Sequence, residues 1–315
     1  MLWGHCSSPM VFSEYLGLFI KLGKTKMKKI LPVFSLILLF IVACSKKEKK
    51  AADFNKGKIT ILTDDSFKSL VEALADAYMI RYPQTEVSVE VMKEDFALSS
   101  LMKNEAKLIA ISKPLTEKEK SEYEQIMEMK FQPDYFAADA VLFITHKNSD
   151  RESISLEEIK AELLSDKKNF VFDGNNSSNL NFISDKIGHR PSELKYYVMN
   201  GNENVIQTLE KHPDKIGVIS LNTISRQYNK QMQELRNSVK ILPVQSEGQR
   251  IFPEGKNLTE MKYPFTRLIY FLYNEGGFGI AKGIVRFSCT QKGQLVVEKE
   301  GLQPYNLYKR EVRMN

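Results

Sequence analysis

The feature that most constrains this chain is a repeated local pattern, in which short apolar runs break off into polar, hydroxyl-bearing turns that open into apolar positions at helical spacing. Residues 170–187 show it most fully. The run Phe170, Val171, Phe172 stops at Asp173-Gly174-Asn175-Asn176, and Leu180, Ile183 and Ile187 recur at helical period beyond Ser177-Ser178-Asn179. That predicts strand, tight turn and helix start. A helix opening exposes unpaired N–H groups and partial positive charge, so Ser177, Ser178 and Asn179 suit a small anion. On this stretch alone the simpler reading is N-capping by Ser177 or Ser178, which needs no ligand at all.

The pattern recurs upstream. Residues 58–62 read as a first strand, followed by Thr63-Asp64-Asp65-Ser66 and a helix over 67–81 with apolar positions at Leu70, Val71, Leu74 and Tyr78. Strand 86–91, helix 96–102 and strand 107–111 come next. The last runs into Ser112-Lys113, and Thr116 with Glu119 has capping-box spacing. Strands alternating with helices predict a parallel sheet, whose ligands bind at the carboxyl ends of its strands. Ser66-Phe67, Ser112-Lys113 and Ser177-Ser178-Asn179 thus form one set of hydroxyls, helix N-termini and a single cation.

Asp139 lies near the start of an apolar strand over 138–144, where a carboxylate must be paired or stand at a site edge. A second capping box, Ser155 with Glu158, starts a helix to about Leu164. Beyond 187, the pattern predicts strands at 196–198, 215–219 and 239–244 and a helix over 203–211. A polar loop over 248–262, a long strand ending at Tyr273 and a helical segment 277–300 broken near Thr290 follow.

The net charge of +6 belongs to the first fifty residues, where nine lysines face two glutamates; residues 51–315 are left at −1. The folded part therefore offers no general attraction to nucleic acid. Met27-Lys28-Lys29, the apolar run 30–41 and Ile41-Val42-Ala43-Cys44 form a basic start, a hydrophobic stretch of secretion-signal length and a small residue before a cysteine. Residues 1–26 read as an upstream extension, 27–43 as the signal and 44–52 as a flexible charged tether. Cys289 sits in an apolar stretch, so no disulfide framework is expected. His146, His189 and His212 lack metal-ligand spacing, and no nucleophile-elbow, phosphate-loop or zinc-protease pattern occurs. Neither an enzyme nor a metal or other cofactor is expected.

The Cys44 pattern resembles the lipobox of bacterial lipoproteins, which implies lipidation of Cys44 and anchoring at the cell envelope, on its periplasmic or outer side. Residues 57–312 resemble the phosphate-binding proteins of bacterial phosphate ABC importers. The likeness rests on Asp65-Ser66-Phe67, the Ile111 to Thr116 turn, Ala138-Asp139-Ala140-Val141, the Asp173 to Asn179 turn, Ile216-Gly217-Val218-Ile219, Tyr263-Pro264-Phe265-Thr266-Arg267 and the segment from Gly293 to Pro304. It implies an α/β, two-lobed periplasmic-binding-protein fold of type II with two crossover strands. Lobe 1 would be 53–140 with 263–315, and lobe 2 would be 141–262. It further implies a monomer that binds phosphate or a similar oxyanion in the cleft and delivers it to a membrane permease. Ser66, Phe67, Ser112, Lys113, Asp139, Ser177, Ser178 and Asn179 would hold the ligand, with Asp139 accepting a proton from phosphate. A sensor or surface module of the same fold is the alternative. Two departures stand out: no Arg occurs in 173–179, and Lys113 stands where an arginine is common.

Overall fold

A computed structural model describes residues 53–306. The expectations for the extension, signal, Cys44 and tether fall outside the described residues. The strands and helices begin with β1 (Lys56–Thr63), α1 (Lys68–Arg81), β2 (Gln84–Val91), α2 (Glu94–Met102), β3 (Leu108–Ile111) and α3 (Glu117–Met127). The long β4 (Asp134–His146) leads to β5 (Ile154–Ser155), α4 (Leu156–Leu163), β6 (Phe170–Phe172), α5 (Ser178–Ile187), β7 (Tyr197–Val198), α6 (Asn202–Lys211) and β8 (Ile216–Ser220). Then come α7 (Lys230–Asn237), β9 (Val239–Leu242), β10 (Val244–Ser246), β11 (Gln249–Ile251), α8 (Lys256–Thr259), β12 (Thr266–Tyr273), α9 (Ile280–Cys289), α10 (Gln291–Lys299) and β13 (Gln303–Pro304). None of these helices is long and apolar enough to cross a membrane.

The main sheet runs in the order β2-β1-β3-β12-β4-β8-β6-β7, with β9 and β13 also pairing to β4. The α/β class expected from the sequence holds, but the sheet is mixed. β1 pairs in parallel with β2 and β3, and β6 with β7 and β8, whereas β12 and β4 run antiparallel to their neighbours. Alternation of strands and helices could not register this, because β12 lies more than a hundred residues beyond the β3 and β4 partners it joins, Ile111 with Tyr270 and Ala140 with Thr266 among them.

Strand β4 divides the sheet. Its first part, through Ala140, pairs with β12 and β13, and its second part, from Val141, pairs with β8 and β9. The chain passes between the halves a second time just before β12, where the carbonyl of Phe265 accepts from the amide of Val141 at 3.0 Å. Burial on both faces explains the continuous apolar runs. In β3, Leu108 and Ala110 pack in a core with Leu70, Leu74 and Tyr78 of α1, while Ile109 and Ile111 pack with Leu98 and Leu101 of α2.

Two sequence expectations need correction. The strand predicted over 239–244 is two strands in different sheets. Pro243 cannot donate to a ladder, so β9 ends at Leu242 and β10 joins a small sheet with β5 and β11. The polar loop over 248–262 contains β11, the return strand of a hairpin turned by Glu247-Gly248, and the single-turn α8. Helix α7 carries only Met232 as a buried residue, too few apolar positions for a clear period.

Candidate functional site

The carboxyl ends of β1, β3 and β6 meet at the seam between the two halves of the sheet, as the strand-end argument requires. Asp64 follows β1. Its Oδ1 accepts from the amide of Ser66 at 3.0 Å and from Ser178 Oγ at 3.0 Å, and its Oδ2 accepts from the amide of Ser178 at 3.2 Å. One carboxylate thus ties the Ser66 turn to the N-terminus of α5. Ser177 is the N-cap of α5, its Oγ accepting from the amide of Leu180 at 3.3 Å and donating to Asp173 Oδ1 at 2.8 Å. The capping alternative is therefore realised for Ser177, while Ser178 and Asn179 reach across the seam.

The Ser112-Lys113 turn after β3 is occupied in the same manner. Glu94, in the first turn of α2, presents Oε1 to the amide of Ser112 at 2.6 Å, to Ser112 Oγ at 3.0 Å and to the amide of Lys113 at 3.0 Å. Its Oε2 meets Asn181 Nδ2 of α5 at 3.5 Å, the outer limit of a hydrogen bond. The Lys113 ammonium lies apart from these contacts, paired with Asp95 at 3.0 Å and Glu119 at 2.8 Å. Burial disfavours that ammonium, but the two acidic partners outweigh it and hold its pKa above the ordinary lysine value.

The central cation is Arg267 of β12, only 2% exposed. Its Nε and Nη2 donate to Asp139 Oδ2 at 2.9 and 2.7 Å, and Nη2 also donates to Asn179 Oδ1 at 2.9 Å. The guanidinium lies 4.6 Å from the centroid of the Phe67 ring, inside cation–π range. Its Nη1 is buried and has no hydrogen-bond partner among the described residues. Asp139, for which pairing and site edge were both open, is paired. Besides Arg267 it accepts from Ser220 Oγ at 2.9 Å and the amide of Asn222 at 3.1 Å.

Several members of this cluster carry no clear sequence signal. Asn202 at the start of α6 donates from its amide to Asp65 Oδ2 at 2.8 Å and from Nδ2 to the same oxygen at 2.9 Å. Asn222 Nδ2 donates to the carbonyl of Ser66 at 2.9 Å, and Ser220 Oγ, whose single proton goes to Asp139, stands 3.0 Å from the same carbonyl. Lys93 Nζ donates to the carbonyl of Asp173 at 2.8 Å. The last contact needs a glycine: Gly174 has φ +151°, and a Cβ there would stand 2.6 Å from Lys93 Cε. The available signal was polarity directly after the apolar strand β8, in Ser220-Leu221-Asn222. For Asn202, Lys93 and Glu94 no local pattern marks the role.

Four carboxyl groups, Asp64, Glu94, Asp139 and Asp173, are fully buried here, against Arg267 and the mostly buried Lys93. Burying that many acidic groups with so few counter-ions is costly, and it raises the pKa of two of them, Asp173 and Glu94. Burial and the neighbouring Asp64 push the Asp173 carboxyl up to about 6 against the pull of Lys93 and Ser177. Burial and Asp64 likewise raise Glu94, opposed by Ser112 and Arg267. No group of three or more His, Cys, Asp or Glu among the described residues could hold a metal ion.

Two sheet halves sharing β4, with strand-end turns and helix N-termini facing each other across the seam, are the architecture of a two-lobed solute-binding protein of type II. The PBP superfamily domain matches residues 48–291, and the chain belongs to that superfamily. A Clostridium perfringens protein assigned as a phosphate ABC transporter substrate-binding protein, solved with phosphate bound, aligns with TM-score 0.65 at 20% identity, covering 79% of this chain and 99% of its own. An ABC-type phosphate transport receptor from Vibrio cholerae aligns with TM-score 0.60 at 17% identity, over 79% and 100% of the two chains. The regulatory domain of CcmR from Synechocystis, in complex with 2-PG, aligns with TM-score 0.51 at 16% identity over 74% and 95%. At these identities the likeness is one of fold. No curated protein matches the chain.

Proposed function

We propose that this protein is an extracytoplasmic solute receptor, not an enzyme, that captures a small oxyanion, phosphate foremost, at the seam and hands it to a membrane ABC permease. The lobes are 53–140 with 263–315 and 141–262, a lipid on Cys44 tethers the receptor to the envelope, and it works as a monomer. The observation that carries the reading is Arg267: a guanidinium almost wholly removed from water, held against Phe67 of the Ser66 turn and Asn179 at the start of α5, with one N–H edge left to donate. A buried donor without an acceptor is costly, and an anion oxygen would satisfy it.

Asp139 fixes the guanidinium plane in this scheme. Its carboxylate already takes four hydrogen bonds, so the proton-accepting role expected for it passes to the other buried carboxyl groups. Such groups favour phosphate over sulfate, because a protonated phosphate oxygen can donate to a carboxylate and a sulfate oxygen at neutral pH cannot. Ser66, Ser112, Ser178 and Asn179 act as donors as the lobes part and close again around the ligand, while Phe67 supports the guanidinium.

Isothermal titration with phosphate, sulfate and molybdate tests the reading. Saturable heat with phosphate, at an affinity above that for sulfate, is the expected result. No heat with any of the three overturns it.

A further inference from the structure

Glu94 occupies the position an incoming anion would want. Three donors, the amides of Ser112 and Lys113 and the Ser112 hydroxyl, converge on its single Oε1 atom. That is the coordination an oxyanion oxygen receives at a strand-end turn, and a carboxylate satisfies it in the same charge-assisted way. The group is not local to the turn; it arrives from α2, eighteen residues upstream. Asp64 differs, since its bond to the Ser66 amide two residues away is an Asx turn that stays with the backbone. Glu94 has one more rotatable bond than an aspartate, and its second oxygen is held only by the 3.5 Å contact to Asn181. Its anchorage outside the turn is therefore weak.

We infer that Glu94 is a resident competitor for the ligand: its carboxylate holds the donors of the Ser112-Lys113 turn, and an oxyanion binds there by displacing it. Resting on the oxyanion reading above, this makes Glu94 a determinant of affinity and selectivity for that site. The exchange removes one buried negative charge from the site as the anion's charge enters, which limits the excess of negative charge over Arg267 and Lys93. Uptake of a dianion beside an undisplaced Glu94 and Asp64 would instead gather like charges in a dry seam.

The test is phosphate titration of the wild type and of Glu94→Gln between pH 5 and 8. Gln keeps the shape and one acceptor oxygen but loses the charge, so the turn is capped less firmly. The charged and titratable groups around Glu94 are Asp64 from the turn after β1, its chain neighbours Lys93 and Asp95, Lys113 of the turn it caps, and Tyr270 and Arg267 from β12, with Asn181 from α5. They are common to both proteins, as is the titration of phosphate itself, so the comparison isolates Glu94. Phosphate should bind Glu94→Gln at least ~10-fold more tightly at pH 8, with the gap narrowing toward pH 5 as the wild-type carboxyl takes up a proton. Wild-type phosphate binding with equal or weaker binding by the variant overturns the competitor role and leaves the proposed function standing. No binding of phosphate, sulfate or molybdate by either protein overturns both. If the variant does not fold, the 13C resonance of the wild-type Glu94 carboxyl decides: it should move on phosphate addition, and an unmoved resonance in saturated protein overturns the inference.

Discussion

Arg267 is fixed on three sides, by the Asp139 carboxylate along one edge, by Asn179 and by the Phe67 ring against its face. A lysine could keep the charge but not the fork. Arg267→Lys should weaken phosphate binding by about tenfold or more, as a charge-assisted donor pair is lost, and calorimetric titration would measure it. Removing the cation altogether is a different experiment, because Arg267→Ala strands Asp139 in the interior at a cost of about 3–5 kcal/mol of stability. Asp173 gives a pH signature. Folded Asp173 holds its proton up to about pH 6, whereas the unfolded chain releases it near 3.8. The folded state thus binds more protons between those values, and this group's contribution to stability falls as pH rises through the window, by roughly 2–3 kcal/mol. Denaturant melts at pH 4 and pH 6.5 should show that loss in the wild type and a smaller one in Asp173→Asn. Ser66, Ser112 and Ser178 were legible because each stands where a strand gives way to a helix. Arg267 and Glu94 were not, since one is a cation inside an apolar strand and the other a first-turn glutamate, and both patterns are commonplace on surfaces.

Helix starts were the most legible elements. The boxes at Thr116/Glu119 and Ser155/Glu158 form with both reciprocal hydrogen bonds, and Ser177 caps α5. Their signal is local, carried by two residues three apart, so tertiary contacts do little to alter it. Ser177→Ala should lower stability by about 1–2 kcal/mol, from the lost cap and from an Asp173 oxygen left with one donor fewer. Urea melts would detect it. Thr116→Ala, at an exposed cap, should cost nearer 1 kcal/mol at most. Strand pairing was far less legible. Pro243 ends β9, but which sheet the following residues join is set by their partners at Ile154 and Ile251, far away in the chain or beyond the turn.

Across the whole molecule, the halves touch through the seam. Asp64 to Ser178, Asp65 to Asn202, Ser66 to Asn222 and Lys93 to Asp173 all join residues on opposite sides. A ligand that binds only when both sides meet stabilises the complete fold by mass action, about 2.7 kcal/mol at a hundred times Kd. For a folded region of this size that corresponds to a rise of about 5–10 °C in Tm, readable by calorimetric melting with and without phosphate. The two-halved plan was legible from the sequence only through resemblance, because periodicity locates strands without saying which of them cross.

The sharing of β4 also sets an order of assembly. Strands β8, β6, β7 and β9 follow the second part of β4 without interruption, whereas the strand that sits between β3 and β4 is β12, near the chain's end. A polypeptide delivered from its N-terminus can therefore zip up its middle portion while β1, β2 and β3 still wait for their closing strand. Truncation just before Thr266 should leave that early portion permanently unfinished.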